Sequence, residues 1–170
     1  MRLEILCGMI ASGKSTYALK RAREGAMIIS HDDLTAMLHG EYRYESGLRE
    51  CYRRSEESLV MVAFDYGRDV IIDRTHLTRE ARKRWIDFAA RLDWDEVEHG
   101  PRPEVVAVVF PIEHPMIHAR RRSDHDARGL SYPEWLEVAE HHHAQAMAEP
   151  IELSEGFDRI EWVDRAKGNQ

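Results

Sequence analysis

The chain has 170 residues, of which 43% are hydrophobic and 32% are charged, a composition typical of one soluble globular domain. No segment approaches the roughly 18 consecutive apolar residues that a membrane-spanning helix needs, so we expect no membrane partner. The net charge of −7 does not exclude a polyanionic ligand, because residues 134–170 carry nine of the acidic side chains and only three basic ones.

Cysteine usage and the start of the chain bear on the cellular compartment. Only two cysteines occur, Cys7 and Cys51, and the first apolar segment begins at Leu3. Such a start leaves no room for a signal peptide, and the few cysteines suit reduced thiols. The sequence therefore predicts a cytoplasmic protein.

The first predicted strand, Leu3–Cys7, leads into the octet Gly-Met-Ile-Ala-Ser-Gly-Lys-Ser at residues 8–15. This octet matches the phosphate-binding loop pattern G-x-x-x-x-G-K-[ST] at every fixed position. Its glycines let backbone N–H groups turn towards phosphate oxygens, Lys14 places a charge near the β- and γ-phosphates, and Ser15 is a ligand for Mg²⁺. The predicted nucleotide-binding residues are Gly8, Met9, Ile10, Ala11, Ser12, Gly13, Lys14, Ser15 and Thr16.

The second predicted strand, Met27–Ser30, is followed closely by Asp32 and Asp33. A carboxylate at this end of the sheet can lie opposite the γ-phosphate and receive the proton of an attacking hydroxyl. The pair indicates two roles, in which one aspartate faces the acceptor and the other caps a helix that begins near Leu34. The alternative, that both aspartates only cap this helix, is left open by the residues themselves.

The third predicted strand, Val70–Asp73, comes after a long helix. Residues spaced three or four apart mark that helix: Leu48, Cys51, Ser55, Leu59, Val62 and Tyr66. An apolar strand ending in aspartate is the Walker B arrangement, in which the carboxylate holds Mg²⁺ directly or through water. Asp73 and Ser15 are therefore the predicted metal residues. Arg74, Thr75 and His76 follow at the mouth of the site, where we expect them to hold the acceptor.

The remaining elements continue the alternation of helix and strand. Thr78 is a candidate N-cap for a helix through Trp85. Two further strands are predicted at Val105–Phe110 and, with a weaker pattern, at Ile160–Val163. This alternation predicts one α/β domain over residues 1–170, with a parallel sheet flanked by helices. Right-handed crossovers then bring the carboxyl end of every strand to the edge that carries the phosphate-binding loop.

An arginine-rich segment precedes the last long helix, which a capping box at Ser131 opens and which is predicted to run to about Met147. Arg120, Arg121 and Arg122 end the preceding helix, and Arg128 follows in a short polar loop. In a phosphotransferase, such arginines form a mobile lid that stabilises the transferring phosphoryl group and excludes water. The alternative is a solvated basic helix end that complements the helix dipole.

Together these segments resemble the 5′-hydroxyl polynucleotide kinase domain of the phage and bacterial end-healing enzymes, within the P-loop kinases. The likeness covers the chain from Met1 to about Met147. It lies in four segments: Gly8–Thr16, the aspartates at 32–33, the run from Ile72 through Leu77, and the arginines from Arg121 to Arg128.

The resemblance implies a P-loop kinase fold of the adenylate kinase-like type, with a short lid at about residues 120–130. It also implies that the γ-phosphate of ATP is transferred, with Mg²⁺, to 5′-hydroxyl ends of DNA or RNA in nucleic acid repair. On this basis Asp32 is the general base, Asp33 contributes to substrate binding, and Lys14 and Ser15 hold phosphates and Mg²⁺. Arg121 and Arg128 are the lid arginines with a catalytic role.

The sequence also departs from the family's pattern. Phage members place an arginine three positions after the base to bind a phosphate of the acceptor, whereas this chain has Thr35. Arg43 and Arg74 are the candidate substitutes. The alternative enzyme class is a small-molecule phosphotransferase of the gluconate, shikimate or antibiotic-modifying kind, which the net acidity and Thr35 favour. A nucleotide-dependent switch or toxin-like regulator is the alternative outside metabolic catalysis, although a switch needs no acceptor base.

Overall fold

The computed structural model of the protein describes residues 1–96, 100–125 and 129–164. Its centre is a five-stranded sheet in the order β2-β3-β1-β4-β5, in which every pair of neighbouring strands is parallel. The strands are β1 Arg2–Cys7, β2 Met27–Ser30, β3 Val70–Asp73, β4 Glu104–Val109 and β5 Arg159–Trp162. All five predicted strands are confirmed to within one residue at each end, and so is the α/β fold.

Within the part of the chain that the structure describes, six α-helices connect or follow these strands. They are α1 Lys14–Arg23, α2 His31–His39, α3 Arg49–Asp65, α4 Arg79–Ala90, α5 Pro115–Ser123 and α6 Tyr132–Ala148. Short 3₁₀ turns lie at Ser46–Leu48 and Leu153–Glu155. The predicted cap at Thr78 and the capping box at Ser131 are both present. Among the described residues, no helix has the length and apolarity to cross a bilayer.

Apolar side chains from helices cover both faces of the sheet. On one face, Leu3 and Ile72 pack in a cluster with Phe64 of α3 and Trp85 of α4. On the other face, a second cluster joins the strands to Ala18 of α1. Strands covered on both faces are nearly continuous apolar runs, so their positions could be predicted from the sequence.

Two expectations about the helix after β2, its first residue and its cap, are wrong. The helix after β2 begins at His31 instead of near Leu34, and its cap is Ser30, whose hydroxyl accepts a hydrogen bond from the N–H of Asp33 at 3.2 Å. Neither aspartate therefore caps the helix. Both lie in its first turn, where their charge complements the helix dipole.

Helix α3 exists as predicted, but the residues that marked it do not form its buried face. Leu59, Val62 and Tyr66 are exposed, whereas Tyr52 and Glu56 are buried. The inward side of α3 carries Val60, Ala63 and Phe64 together with Tyr52 and the carboxylate of Glu56.

Buried ion pairs fix the helices around the site. Glu4 in the middle of β1 is fully buried, accepts from the Tyr17 hydroxyl at 2.8 Å and pairs with Arg21 at 2.9 Å. Arg82 of α4, also fully buried, pairs with Glu155 at 2.8 Å. Such pairs hold their elements in one arrangement, because breaking them leaves a charge uncompensated in the interior.

Candidate functional site

The loop between β1 and α1 has the backbone that a phosphate-binding loop requires. Gly13 takes a φ of +99° immediately before α1, a conformation that favours glycine. A Cβ at Gly8 would lie 2.8 Å from both the Cβ of Phe110 and the hydroxyl of Ser12, so only glycine fits there. The loop thus curls over the N-terminus of α1, whose unpaired N–H groups attract anions.

Lys14 lies at the centre of this loop and is 8% exposed. Its ammonium group donates to the carbonyl oxygens of Gly8 at 3.0 Å and Met9 at 2.6 Å. Burial lowers the pKa of Lys14 to about 8, although the negative charges of Asp73 and Asp32 oppose the shift. A buried ammonium group attracts anionic phosphate oxygens more strongly than neutral carbonyl oxygens. Lys14 can therefore exchange its bonds to the loop carbonyls for bonds to a phosphate.

The predicted metal residues lie together at the carboxyl edge of the sheet. The hydroxyl of Ser15 donates to the carboxylate of Asp73, and the pKa of Asp73 is raised, first by burial and then by the nearby charges of Asp33 and Asp32. A hydroxyl and a carboxylate beside a phosphate-binding loop suit Mg²⁺, which takes few protein ligands and completes its shell with phosphate and water. Ser15 and Asp73 therefore fit Mg²⁺ that is held together with phosphate. Among the described residues, no three His, Cys, Asp or Glu side chains form a cluster suited to a metal.

Two buried histidines bond to the backbone of β1 and of the phosphate-binding loop. The sequence did not indicate where these histidines lie relative to the loop. The Nδ1 of His118 on α5 lies 2.8 Å from the carbonyl oxygen of Ile10, and the Nδ1 of His76 lies 2.8 Å from that of Leu6. The N–H of Gly8 also donates to the carbonyl of Thr75 at 2.9 Å. The segment after β3 is therefore bonded directly to the phosphate-binding loop.

A cavity of about 680 Å³ opens between α3, α4 and the segment after β3. Arg74, Thr75 and His76, which were predicted to hold the acceptor, line it, whereas Arg43 is outside its lining and pairs with Glu45 at 3.0 Å. Tyrosine and arginine side chains from α3, α4 and the preceding loop complete the wall: Tyr44, Tyr52, Arg49, Arg53 and Arg84.

Glu56 organises the floor of this cavity. It is 1% exposed, accepts from the Nδ1 of His31 at 2.7 Å and pairs with Arg84 at 2.6 Å. Burial alone would raise the pKa of Glu56, but the hydrogen bond with His31 and the charges of Arg84 and Arg74 hold it below its usual range. The sequence did not mark Glu56, because a polar residue inside a helix is usually solvated.

The arginines at the end of α5 point in different directions. Arg121 is exposed and pairs with Glu113. Arg122 lies over the ring of Trp135, 4.8 Å from its centroid, and its charge acts on the pKa of Lys14. Arg128 lies outside the described residues. Arg122 thus lies against Trp135, which packs in one cluster with Met9 of the phosphate-binding loop.

The fold and the loop geometry define the class of protein: a phosphate-binding-loop (P-loop) protein with the fold of the P-loop kinases. A pattern for one family matches residues 3–149, almost the whole described chain. The chain belongs to that family, the AAA domain family designated AAA_33. No curated protein sequence matches the chain.

Solved structures share this fold. A chain of the Pnkp1/Rnl/Hen1 RNA repair complex superposes with a TM-score of 0.67 at 22% identity, covering 92% of this chain and 46% of that one. A gluconokinase from Sinorhizobium meliloti 1021 gives 0.51 at 17% identity, covering 98% and 83%. A putative kinase from Chloroflexus aurantiacus gives 0.56 at 16% identity, covering 99% and 87%.

These likenesses show the fold alone, since all of them lie under 25% identity. The chain spans less than half the length of the chain from the RNA repair complex. Proteins with different acceptors therefore share this arrangement of sheet, loop and helices, and the acceptor has to be argued from the side chains of the site.

Proposed function

We propose that the protein is an ATP-dependent, Mg²⁺-dependent kinase that phosphorylates the 5′-hydroxyl ends of a polynucleotide. The phosphate-binding loop, Ser15 and Asp73 supply the donor half of such a site. Asp32 and the arginine-lined cavity supply the acceptor half. The likeness in fold to a chain of an RNA repair complex agrees with this substrate class.

The main support for a polynucleotide as the phosphate acceptor is the position of Arg74. Its side chain is 40% exposed and lines the cavity directly after Asp73, and its guanidinium lies 4.0 Å from the carboxylate of Glu56. Among the described residues it has no hydrogen bond, so its donors are available to a phosphate of the acceptor strand. Thr35, where phage relatives carry an arginine, is fully buried and bonds the carbonyl of Asp32 at 2.9 Å.

The chemistry follows from the charges at the sheet edge. The oxygen of the 5′-hydroxyl bonds to the γ-phosphorus while Asp32 accepts the proton of that hydroxyl. The bond between the γ-phosphorus and the β–γ bridging oxygen breaks, which releases ADP. Lys14 balances the charge that builds on the β- and γ-phosphates. Bound Mg²⁺, held by Ser15 and Asp73, would add further charge neutralisation. Arg122 extends this positive field from the side of α5.

A small-molecule phosphotransferase is the second candidate function. The carboxylates of Glu50 and Glu80 lie beside the arginines in the cavity wall, which suits a compact polar substrate as well as a strand. The fold likeness to a gluconokinase over nearly the whole of both chains agrees with this alternative.

The test is transfer of labelled phosphate from ATP to 5′-hydroxyl RNA and DNA oligonucleotides, with gluconate and shikimate as competing acceptors. We expect labelled oligonucleotide and neither labelled gluconate nor labelled shikimate. Label on a small acceptor alone would establish the second candidate, and ATP turnover without labelled oligonucleotide would reject the first.

The role of Asp32 has its own variant. We expect Asp32→Ala to lower the transfer rate by about 10²- to 10⁴-fold, the usual contribution of a general base, while ATP binding is retained. Asp65→Ala, which removes an exposed carboxylate at the far end of α3, is the matched control. Equal loss of transfer and of ATP binding in Asp32→Ala would assign Asp32 to the structure of the loop.

A further inference from the structure

His76 carries a buried nitrogen that the donor and acceptor roles described above do not use. The side chain is 3% exposed and lines the cavity beside Arg74 and Arg84. Its Nε2 atom has no hydrogen-bond partner among the described residues. An unsatisfied polar atom in the interior costs about 1–3 kcal/mol, so a group that meets it in the working complex would recover that cost.

The hydrogen bond of the other ring nitrogen, Nδ1, determines whether Nε2 carries a proton. Nδ1 lies 2.8 Å from the carbonyl oxygen of Leu6, and since a carbonyl can only accept, Nδ1 carries the proton. Burial lowers the pKa of His76 to about 3, so the ring is neutral at physiological pH. Nε2 therefore carries no proton, and its lone pair can only accept a hydrogen bond.

The surrounding structure prevents the ring from turning away. His76 has a φ of +40°, in the left-handed region that residues other than glycine rarely adopt. Arg82 secures this turn by donating to the carbonyl oxygens of His76 at 3.3 Å and Leu77 at 2.9 Å. Strained backbone held by its neighbours is characteristic of positions at which a side chain must be presented in one orientation.

The partner of such a lone pair must be a hydrogen-bond donor, which excludes phosphates and carboxylates. It must also be small, because Nε2 is enclosed in the cavity wall. The ring is bonded to β1 just before the phosphate-binding loop, and the carbonyl of the preceding Thr75 accepts from the N–H of Gly8. The part of a 5′-hydroxyl acceptor nearest to that loop is the terminal sugar, and its small donor other than the reacting hydroxyl is the 2′-hydroxyl of ribose.

We propose, on the basis of the function proposed above, that Nε2 of His76 accepts a hydrogen bond from the ribose 2′-hydroxyl of the terminal nucleotide, so that the enzyme prefers RNA ends to DNA ends. Arg74 then binds a phosphate of the acceptor strand, while His76 recognises the sugar of its terminal nucleotide. His76 is a specificity-determining residue in this account and takes no part in the proton transfer at Asp32.

The variant that isolates Nε2 is His76→Asn. Asparagine tolerates a positive φ, and its amide N–H can replace the Nδ1–H donor to Leu6, but it is too short to place an acceptor where Nε2 lies. The substrates are one 5′-hydroxyl RNA oligonucleotide and two versions changed only at the first sugar, one 2′-deoxy and one 2′-O-methyl. The 2′-O-methyl group keeps an oxygen acceptor and loses the donor.

For the natural enzyme, we expect kcat/KM to fall about three- to tenfold on either sugar change, the effect of one neutral hydrogen bond. His76→Asn should show a loss of the same size on RNA and no further loss on the modified sugars. A natural enzyme indifferent to the first sugar, or a variant slowed equally on all three substrates, would overturn the role of His76 and leave the kinase assignment intact. Failure of the natural enzyme to phosphorylate any of the oligonucleotides would overturn both.

Discussion

The protonation of Lys14 gives a pH dependence that can be worked out from the structure. Its pKa lies at about 8 because the ammonium group is buried, and it has to be charged to pair with the β- and γ-phosphates. Bound triphosphate favours the charged form, so the site takes up a proton whenever the ammonium group is neutral beforehand. Affinity for a nonhydrolysable ATP analogue should therefore be nearly constant below pH 7.5 and fall above pH 8.

The size of the effect follows from the same value. At pH 9 about nine-tenths of the Lys14 side chains are neutral, so the affinity should be about tenfold weaker than at pH 7, or about 1.4 kcal/mol. At pH 8 binding should take up about half a proton per site. The thiol of Cys7, which lies at the start of the loop, does not disturb this range, because burial raises its pKa to about 12.

Isothermal titration calorimetry in buffers of different ionisation enthalpy measures both the affinity and the proton uptake. Lys14→Arg is the control, because arginine keeps its charge throughout this range, and its affinity should not change between pH 7 and 9. An affinity of the natural protein that is constant over this range, or an equal slope in Lys14→Arg, would refute the reasoning.

Three further predictions concern the lid, the interior and the cavity. Arg122→Ala should slow phosphate transfer by about 10³- to 10⁵-fold, as expected for an arginine that stabilises the transferring group, and Arg121→Ala by about tenfold at most. A larger kcat loss for Arg121→Ala than for Arg122→Ala would reverse the assignment. Arg82→Met should lower the free energy of unfolding by about 3–5 kcal/mol in urea titrations, because Glu155 is left buried without its partner; a loss under about 1 kcal/mol would contradict this role. His76 binds a proton more readily in the unfolded chain (ordinary pKa 6.5) than in the folded one (about 3), so stability should fall as pH drops through this window, by up to about 1.4 kcal/mol per unit. His76→Asn should remove that part of the slope, and an unchanged slope would contradict the burial argument.

The phosphate-binding loop could be predicted from the sequence because its information is local. A phosphate-binding loop needs glycines at fixed spacing, and Gly8 and Gly13 meet a close approach and a positive φ respectively. The parallel strands were equally readable, since burial on both faces leaves a nearly continuous apolar run. Asp73 followed from its place at the end of such a strand.

The surroundings of the cavity could not be predicted to the same depth, because they arise from contacts between distant segments. Nothing in the sequence indicates that His76 donates to Leu6, seventy residues away, or that Glu56 turns inwards to meet His31. The neighbouring residues Arg121 and Arg122 differ by about 100° around a helix. A shift of one position therefore moves the guanidinium from Glu113, which Arg121 contacts, to the ring of Trp135, which Arg122 contacts.

The central claim is that a triphosphate is bound by the loop before α1 while Asp32 faces its terminal phosphorus. A crystal structure with a nonhydrolysable ATP analogue and Mg²⁺ tests it most directly. We expect the β- and γ-phosphates on the loop amides, Mg²⁺ bonded to the Ser15 hydroxyl, and the Lys14 ammonium moved from the Gly8 and Met9 carbonyls to phosphate oxygens. An analogue bound elsewhere, or an Asp32 carboxylate turned away from the γ-phosphate, would contradict the account.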